Sequence, residues 1–222
     1  MRTWLVVAAE AREFDGILRR CGTSSPLDWP GARFARQASW KGDHWLFLAN
    51  GPGRGLVEEV LSSKPRQVDI MMSTGYCGAL QPGQRVGDIV VSGEMPVSSP
   101  IPFVRGEIAS LDRVAATATE KRALGLETGA VAVEMEAAAV ARKAKEWGVP
   151  FCCVRVVSDT AEEDMPLDFN RYRDKEGRFS IARIMLGALA RPFTAIPGLM
   201  RLDKSCRVAA ERLGEFFADS TF

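Results

Sequence analysis

Apolar runs and helical repeats alternate along most of the chain. Each apolar run is long enough for a strand buried on both faces of a sheet, and several intervening segments repeat apolar side chains at helical spacing. This alternation predicts one α/β domain over residues 1–222. The predicted strands cover residues 4–9, 33–40, 44–49, 68–72, 84–92 and 149–159, and the predicted helices include residues 10–20, 56–63 and 118–126 and a helix from Met135 onward.

Two features between these elements carry little functional signal. The single histidine, His44, stands at the start of a plain predicted strand, so we do not expect it to be catalytic. The glycine-rich segment at residues 50–55 precedes a predicted helix. Glycines let a backbone approach a ligand closely, and a helix N-terminus favours anions, but the same residues suit an ordinary turn.

The C-terminal part of the chain predicts a helical extension over residues 178–220. Residues 191–201 are apolar and contain two prolines, so we expect an irregular segment there and a final helix capped by Asp203. This segment suits a connector packed on the core. The alternative is an apolar rim that accepts a substrate tail or contacts a membrane surface.

Composition favours a cytoplasmic protein with reduced cysteines. Lys and Arg total 29 against 28 for Asp and Glu in 222 residues, which argues against nucleic acid as the main partner. The five cysteines lack metal-ligand spacing. The N-terminal apolar run meets Glu10 too soon for a signal peptide, and no stretch reaches the ~20 apolar residues that span a bilayer.

Acidic residues stand at the ends of two predicted strands. Glu134 and Glu136 lie where a short strand gives way to a helix, and Ser158 and Asp159 end the next strand. Ligands bind at such strand ends in α/β sheets, and two neighbouring strands can place these acids side by side. The competing interpretation assigns the same acids to helix N-termini and capping alone.

The segments Val133-Glu-Met-Glu-Ala137 and Val154-Arg-x-x-Ser-Asp159 resemble the paired motifs of the purine nucleoside phosphorylase and methylthioadenosine/adenosylhomocysteine nucleosidase superfamily. The resemblance covers a core of residues 3–160. It implies a nucleoside phosphorylase-like fold, with three α/β/α layers around a mixed, twisted sheet. It also implies cleavage of the N-glycosidic bond of a small-molecule purine nucleoside, no metal or organic cofactor, and a homo-oligomer.

The resemblance implies a role for each acid of the two motifs. Asp159 is the expected general acid at purine N7, oriented by Ser158. Glu136 is expected to hold the ribose hydroxyls, with Met135 packed on the sugar and Glu134 beside them in the substrate site.

The residues expected to hold the nucleophile favour water over phosphate. Glu13 matches the glutamate that holds the attacking water in the nucleosidases, with Arg155 as its expected charge partner. Ser73 stands where the hexameric phosphorylases have a phosphate-binding arginine. Hydrolysis is therefore favoured, although phosphate stays open as a co-substrate through a site built from Arg54 or Arg155.

Other motif positions depart from the family. Gly75 and Tyr76 fall in the segment that lines the ribose and the nucleophile site, where many members have Ser or Thr instead of the tyrosine. Asp112 and Val114 fall in the segment that contacts adenine, and Val114 stands where a phenylalanine stacks on the base. The changes at Tyr76 and Val114 favour a competing hypothesis, a nucleoside-binding module without turnover.

Residues 161–222 resemble the hopanoid-biosynthesis-associated branch of the superfamily, which is associated with removal of adenine from adenosylhopane. This resemblance implies a 5′-substituted adenosine with a bulky apolar group as the substrate. The alternatives are a methylthioadenosine/adenosylhomocysteine nucleosidase and a general purine nucleoside phosphorylase.

Overall fold

A mixed β-sheet forms the centre of the computed structural model, which describes residues 1–62 and 67–222. Its strands follow the order β2-β3-β4-β1-β5-β10-β6-β7, and β9 pairs with both β5 and β8. They are β1 (Thr3–Ala8), β2 (Ser24–Pro26), β3 (Phe34–Trp40), β4 (Asp43–Ala49), β5 (Ile70–Ala79), β6 (Ile89–Ser92), β7 (Phe103–Arg105), β8 (Ile108–Ser110), β9 (Ala132–Glu134) and β10 (Phe151–Asp159).

Strands β4, β1, β5 and β10 run parallel at the middle of the sheet, whereas β3 and β6 are antiparallel to their neighbours β4 and β10. Short 3-10 helices occupy Ala11–Phe14 and Phe169–Tyr172. The α-helices of the described residues are α1 (Asp15–Arg20), α2 (Arg54–Val60), α3 (Ala118–Thr128), α4 (Ala137–Trp147), α5 (Ile181–Leu189) and α6 (Pro192–Asp219).

Two apolar cores lie on opposite faces of the sheet. Side chains of β1 alternate between them, because successive residues of a strand point to opposite faces. Val6 packs in one core with residues of α1 and α6, and Val7 packs in the other with residues of α2 and α4. The predicted α/β fold with three layers and a mixed sheet is confirmed.

Strand β5 extends past its predicted end at Met72 as far as Ala79. The end predicted for the strand at residues 68–72 is therefore wrong. Gly75 has a φ of +120°, which lets the strand bend without ending, and β10 pairs with β5 along most of this length. The extension brings the ends of β5 and β10 together at the same edge of the sheet.

Helix α6 continues without interruption through the segment that the prolines were expected to break, and it also contains Asp203. The predicted irregular segment and the predicted cap are both wrong. Pro192 stands at the first helical position, where its missing N–H has no helical partner. Pro197 lies inside the helix, and Asp203 pairs there with Arg207 at 2.8 Å.

Smaller differences concern element ends. The predicted helix at residues 10–20 divides into the 3-10 helix and α1, because the side chain and backbone of Glu13 bond back to Glu10. The predicted last residue of the second helix, Ser63, lies outside the described residues. Across residues 1–62 and 67–222, no helix is long and apolar enough to cross a bilayer. All five cysteines are buried and free.

Candidate active site

A cavity of about 160 Å³ opens where β1, β5, β9 and β10 end. Three acids that are far apart in the chain, Glu13, Glu136 and Asp159, line this cavity together with Ser158 and Met135. Strands β1 and β10 both run parallel to β5, so their carboxyl ends bring Glu13 and Asp159 to the same end of the sheet. Strand β9 pairs with the end of β5 from the opposite direction and brings Glu136 there.

Glu13 is buried and held by two backbone amides. Its Oε1 accepts the N–H of Tyr76 and its Oε2 accepts the N–H of Glu10, each at 2.8 Å. Gly75 makes room for this arrangement, since a Cβ at that position would lie 2.6 Å from Oε1. Burial raises the pKa of Glu13, and the charge of Arg155 and the two amides oppose the shift. Each oxygen keeps a lone pair that can accept a hydrogen bond from water.

Glu136 begins helix α4 and faces the same cavity. Its Oε1 accepts the N–H of Gly53 at 2.8 Å, and its Oε2 lies 3.4 Å from the guanidinium of Arg155. Burial raises the pKa of Glu136 to about 8; the charge of Arg155 opposes this shift, and the neighbouring carboxylates Glu134 and Glu13 add to it. A carboxyl in this state can both accept and donate hydrogen bonds to sugar hydroxyls near neutral pH.

Glu134 anchors the start of helix α4. Its Oε2 accepts the N–H groups of Glu136 and Ala137 at 2.8 Å each and bonds to Arg155, while its Oε1 bonds to the hydroxyl of Ser110. These protein groups occupy both of its oxygens. Glu134 also borders the cavity, so its expected contact with the substrate stays a prediction.

Arg155 lies fully buried behind the cavity wall. Its guanidinium pairs with Glu134 and donates to the hydroxyl of Ser73 at 2.7 Å. Burial would lower its pKa, but the neighbouring carboxylates outweigh this and raise it. The charge of Arg155 acts on Glu13 and opposes the rise in its pKa, and no ion pair joins the two side chains in the described residues.

Asp159 is held from both sides. The hydroxyl of Ser158 donates to its Oδ1 at 2.7 Å, which places the two residues as the motif predicted. On the other side, Nζ of the fully buried Lys121 lies 2.5 Å from Oδ2 and donates to the carbonyls of Thr160 and Glu163. Sequence reasoning missed Lys121, because a single lysine in the otherwise ordinary helix α3 gives no signal of burial.

The remaining predicted residues differ in where they lie. Tyr76 and Val114 line the cavity. The N–H of Val114 donates to the side-chain oxygen of Asn170 and is not free for a purine, and the amide of Asn170 donates to the carbonyl of Val114. Asp112 is exposed and borders a separate surface pocket, where its carbonyl accepts from Arg173 at 2.6 Å. Phe179, which was not predicted, supplies an aromatic ring to the same cavity as Val114.

A second, larger cavity of about 860 Å³ adjoins the first. The two share Pro52, Val114, Asp159 and Phe179 among their lining residues. Its size lies in the range of about 300–1,000 Å³ that is usual for ligand sites. Apolar side chains from β3, α5 and α6 line it, namely Phe34, Ile181, Ile184, Met185, Leu199 and Leu202.

No group of three or more His, Cys, Asp or Glu residues suited to a metal ion occurs in the part of the chain that the structure describes.

Residues 93–190 match the family model of the phosphorylase superfamily.

Related sequences are nucleosidases. The 5′-methylthioadenosine/S-adenosylhomocysteine nucleosidase of Shewanella baltica (strain OS155) is 27% identical over 157 residues, which cover 53% of this chain and 66% of the relative. The same enzyme of Shewanella sp. (strain W3-18-1) is 46% identical over 55 residues, 25% of this chain and 24% of the relative. These matches therefore span less than two thirds of the relatives' own length.

Solved structures share the fold over nearly the whole chain. The 5′-methylthioadenosine/S-adenosylhomocysteine nucleosidase of Helicobacter pylori has a TM-score of 0.71 at 19% identity, covering 97% of this chain and 96% of its own. The futalosine hydrolase of the same organism has a TM-score of 0.70 at 18% identity, covering 97% and 95%. At these identities the likeness shows a shared fold.

Proposed function

We propose that this protein, as a member of the phosphorylase superfamily, hydrolyses the N-glycosidic bond of a 5′-substituted adenosine and releases adenine. One observation carries the proposal: Glu13, Glu136 and Asp159 share a cavity that continues into a larger apolar one. Related nucleosidases of the same superfamily support the reaction class.

The reaction follows from the position of each acid. Water held by Glu13 attacks C1′ of the ribose and gives a proton to that carboxylate. The C1′–N9 bond breaks, and its electron pair leaves with the purine, which takes a proton at N7 from Asp159 in its protonated form, leaving the carboxylate that pairs with Lys121. Glu136 holds the ribose hydroxyls while positive charge develops on the sugar. The products are adenine and the 5-substituted ribose.

Water is favoured over phosphate as the nucleophile because the arginines that line the first cavity are already paired with acids. Arg12 pairs with Glu10 at 2.7 Å, and Arg113 pairs with Glu120. Arg155 pairs with Glu134 behind the wall and lies 3.4 Å from Glu136. A phosphate dianion would therefore meet several carboxylates and no fixed, unpaired cation among the residues described as lining the cavity.

Arg54 gives no alternative phosphate site at this cavity. It borders the separate surface pocket near Asp112 and pairs with Glu58 at 2.8 Å. Phosphorolysis through either of the two arginines considered from the sequence is thus the less favoured chemistry.

The larger cavity supports a bulky apolar 5′ substituent, of which the hopane side chain of adenosylhopane is one instance. Its walls are mostly apolar, and it begins beside Asp159 and Val114. Phe179 lines both cavities and is the aromatic ring best placed to pack on the purine or the ribose, in place of the phenylalanine that Val114 replaces.

Adenine release from a series of adenosines tests the proposal. Adenosine, 5′-methylthioadenosine and 5′-alkylthioadenosines of increasing chain length are each assayed with and without phosphate. We expect phosphate-independent release and a kcat/KM that rises by at least about tenfold from the methylthio to an octylthio substrate, because each buried methylene contributes about 0.8 kcal/mol. Asp159→Asn is the inactive control.

Other outcomes identify the competing functions. Release that requires phosphate and yields a pentose 1-phosphate indicates a phosphorylase. A preference for the methylthio substrate indicates a methylthioadenosine/adenosylhomocysteine nucleosidase. Tight binding of adenosine without any adenine release indicates a nucleoside-binding module and refutes the enzymatic proposal.

A further inference from the structure

The outer face of helix α5 and the first turns of α6 expose large apolar side chains. On α5 they follow spacings of four, five and eight residues, so they share one face of the helix. Phe193 is 93% exposed and Ile181 is 76% exposed. We call this set the apolar hairpin face; its residues are Ile181, Met185, Leu186, Leu189, Phe193 and Met200.

The charges around the apolar hairpin face have one sign. Residues 178–202 contain four arginines and no aspartate or glutamate, although the whole chain is nearly neutral at +1. Arg183, Arg191 and Arg201 are exposed at or next to the apolar residues. A helix with an apolar face bordered by cations is typical of a segment that lies in the interface of a membrane with anionic lipids.

The same hairpin forms the wall of the larger cavity. Ile181 and Met185 are exposed and also line the cavity, so the cavity borders the apolar hairpin face. A surface seated on a bilayer would therefore place the cavity against the lipid.

We propose that the apolar hairpin face binds the surface of membranes that contain anionic lipids, and that apolar substrates enter the larger cavity from the bilayer. The membrane binding stands by itself, whereas the entry route rests on the proposed function. A second copy of the chain is the less favoured occupant, because a two-fold contact would bring the same acid-free, arginine-bordered patch against itself.

Sedimentation with lipid vesicles tests this inference. The full chain is mixed with vesicles of phosphatidylcholine alone or of phosphatidylcholine with phosphatidylserine, and the bound fraction is measured at low and high salt. Leu186→Glu/Phe193→Glu changes two residues of the face that do not line either described cavity. Leu126→Glu/Val104→Glu is the matched control on other exposed apolar side chains.

We expect binding to the anionic vesicles, reduced by high salt and by about tenfold or more in Leu186→Glu/Phe193→Glu, with the control unchanged. No binding to either vesicle, or equal loss in the control variant, would overturn the inference. So would a dimer in solution that the Leu186→Glu/Phe193→Glu substitution dissociates, since it would assign the face to a second copy.

Adenine release from soluble 5′-methylthioadenosine is measured on the same proteins. Release without vesicle binding would refute the inference and leave the proposed function standing. Vesicle binding without adenine release from any substrate would support the membrane inference and refute the proposed function.

Discussion

Charged side chains in the wall of the cavity are held by fixed partners. Arg155 joins Glu134 and Glu136, and Lys121 joins Asp159 to two carbonyls of the following loop. Buried charges of this kind are tolerated only while they stay paired, because removing one partner leaves the other without solvent or counter-charge. Each pair therefore couples the shape of the cavity to the stability of the fold.

Lys121→Met tests this coupling, since the substitution removes the ammonium and keeps a side chain of similar length. We expect unfolding to become easier by about 3–5 kcal/mol. We also expect kcat for adenine release to fall by about 10- to 100-fold in the folded variant, because Asp159 loses its fixed orientation. Urea denaturation and steady-state assays measure the two effects.

Lys143→Met is the matched control for that substitution. Lys143 pairs with Glu146 at the surface, at 2.7 Å, and surface pairs contribute about 0–1 kcal/mol. Equal effects of the two substitutions on stability and on kcat would contradict the role assigned to Lys121.

At the level of elements, strand ends and helix starts build the site, and the C-terminal helices cover it. Strand β5 bends at Gly75 and still pairs with β10, which places Tyr76 beside Glu13. Helix α6 packs against α1 and β10 over its later part, while its middle turns, from Leu199 to Cys206, border the larger cavity. Helix α6 tolerates Pro197 because the packing of the other residues of the helix stabilises it by more than the one lost hydrogen bond costs.

Pro197→Ala is expected to stabilise the protein. The new N–H can bond to the carbonyl of Phe193, and the side chain of Pro197 is exposed, so little packing is lost. Interior proline costs a helix about 3 kcal/mol, partly offset by about 0.4–1 kcal/mol from the stiffer unfolded chain, so we expect a net gain of about 2–2.6 kcal/mol. Thermal unfolding measures it.

Pro192→Ala provides the comparison within the same helix. At the first helical position a missing N–H has no partner to lose, so we expect a change within about 0.5 kcal/mol. A destabilised Pro197→Ala would show that the proline itself fixes the shape of the hairpin between α5 and α6.

At the level of the whole molecule, the buried acids make stability depend on pH. Burial raises the pKa of Glu136 from 4.5 to about 8 and that of Glu13 in the same direction. Between these values the native state binds a proton that the unfolded chain has released. The contribution of Glu136 to stability is therefore present below about pH 4.5 and is lost as the pH rises towards 8.

Glu136→Gln should remove this part of the pH dependence. Between pH 5 and pH 8 we expect the unfolding free energy of the native protein, relative to the variant, to fall by at least about 1.4 kcal/mol, the equivalent of one pKa unit. Urea denaturation at a series of pH values measures the difference. The surface substitution Glu59→Gln should leave the profile unchanged; a parallel profile for Glu136→Gln would contradict the assigned shift.

The sequence by itself determined the sheet and the ends of its central strands. Continuous apolar runs such as that of β1 require burial on both faces, and this requirement is a local property that can be recognised without coordinates. The acids at the ends of β9 and β10 follow directly from those runs. Ser158 and Asp159 therefore stand side by side in the structure, and Glu136 faces the cavity, where the motifs predicted them.

Only the tertiary structure decided how those acids are supported and what lies beside them. The pairing of Lys121 with Asp159, the separation of Asp112 from the cavity and the passage of α6 through two prolines depend on contacts between remote segments. A local sequence pattern cannot predict these contacts, because a lysine or a proline looks the same in the sequence whether water or the interior of the fold surrounds it.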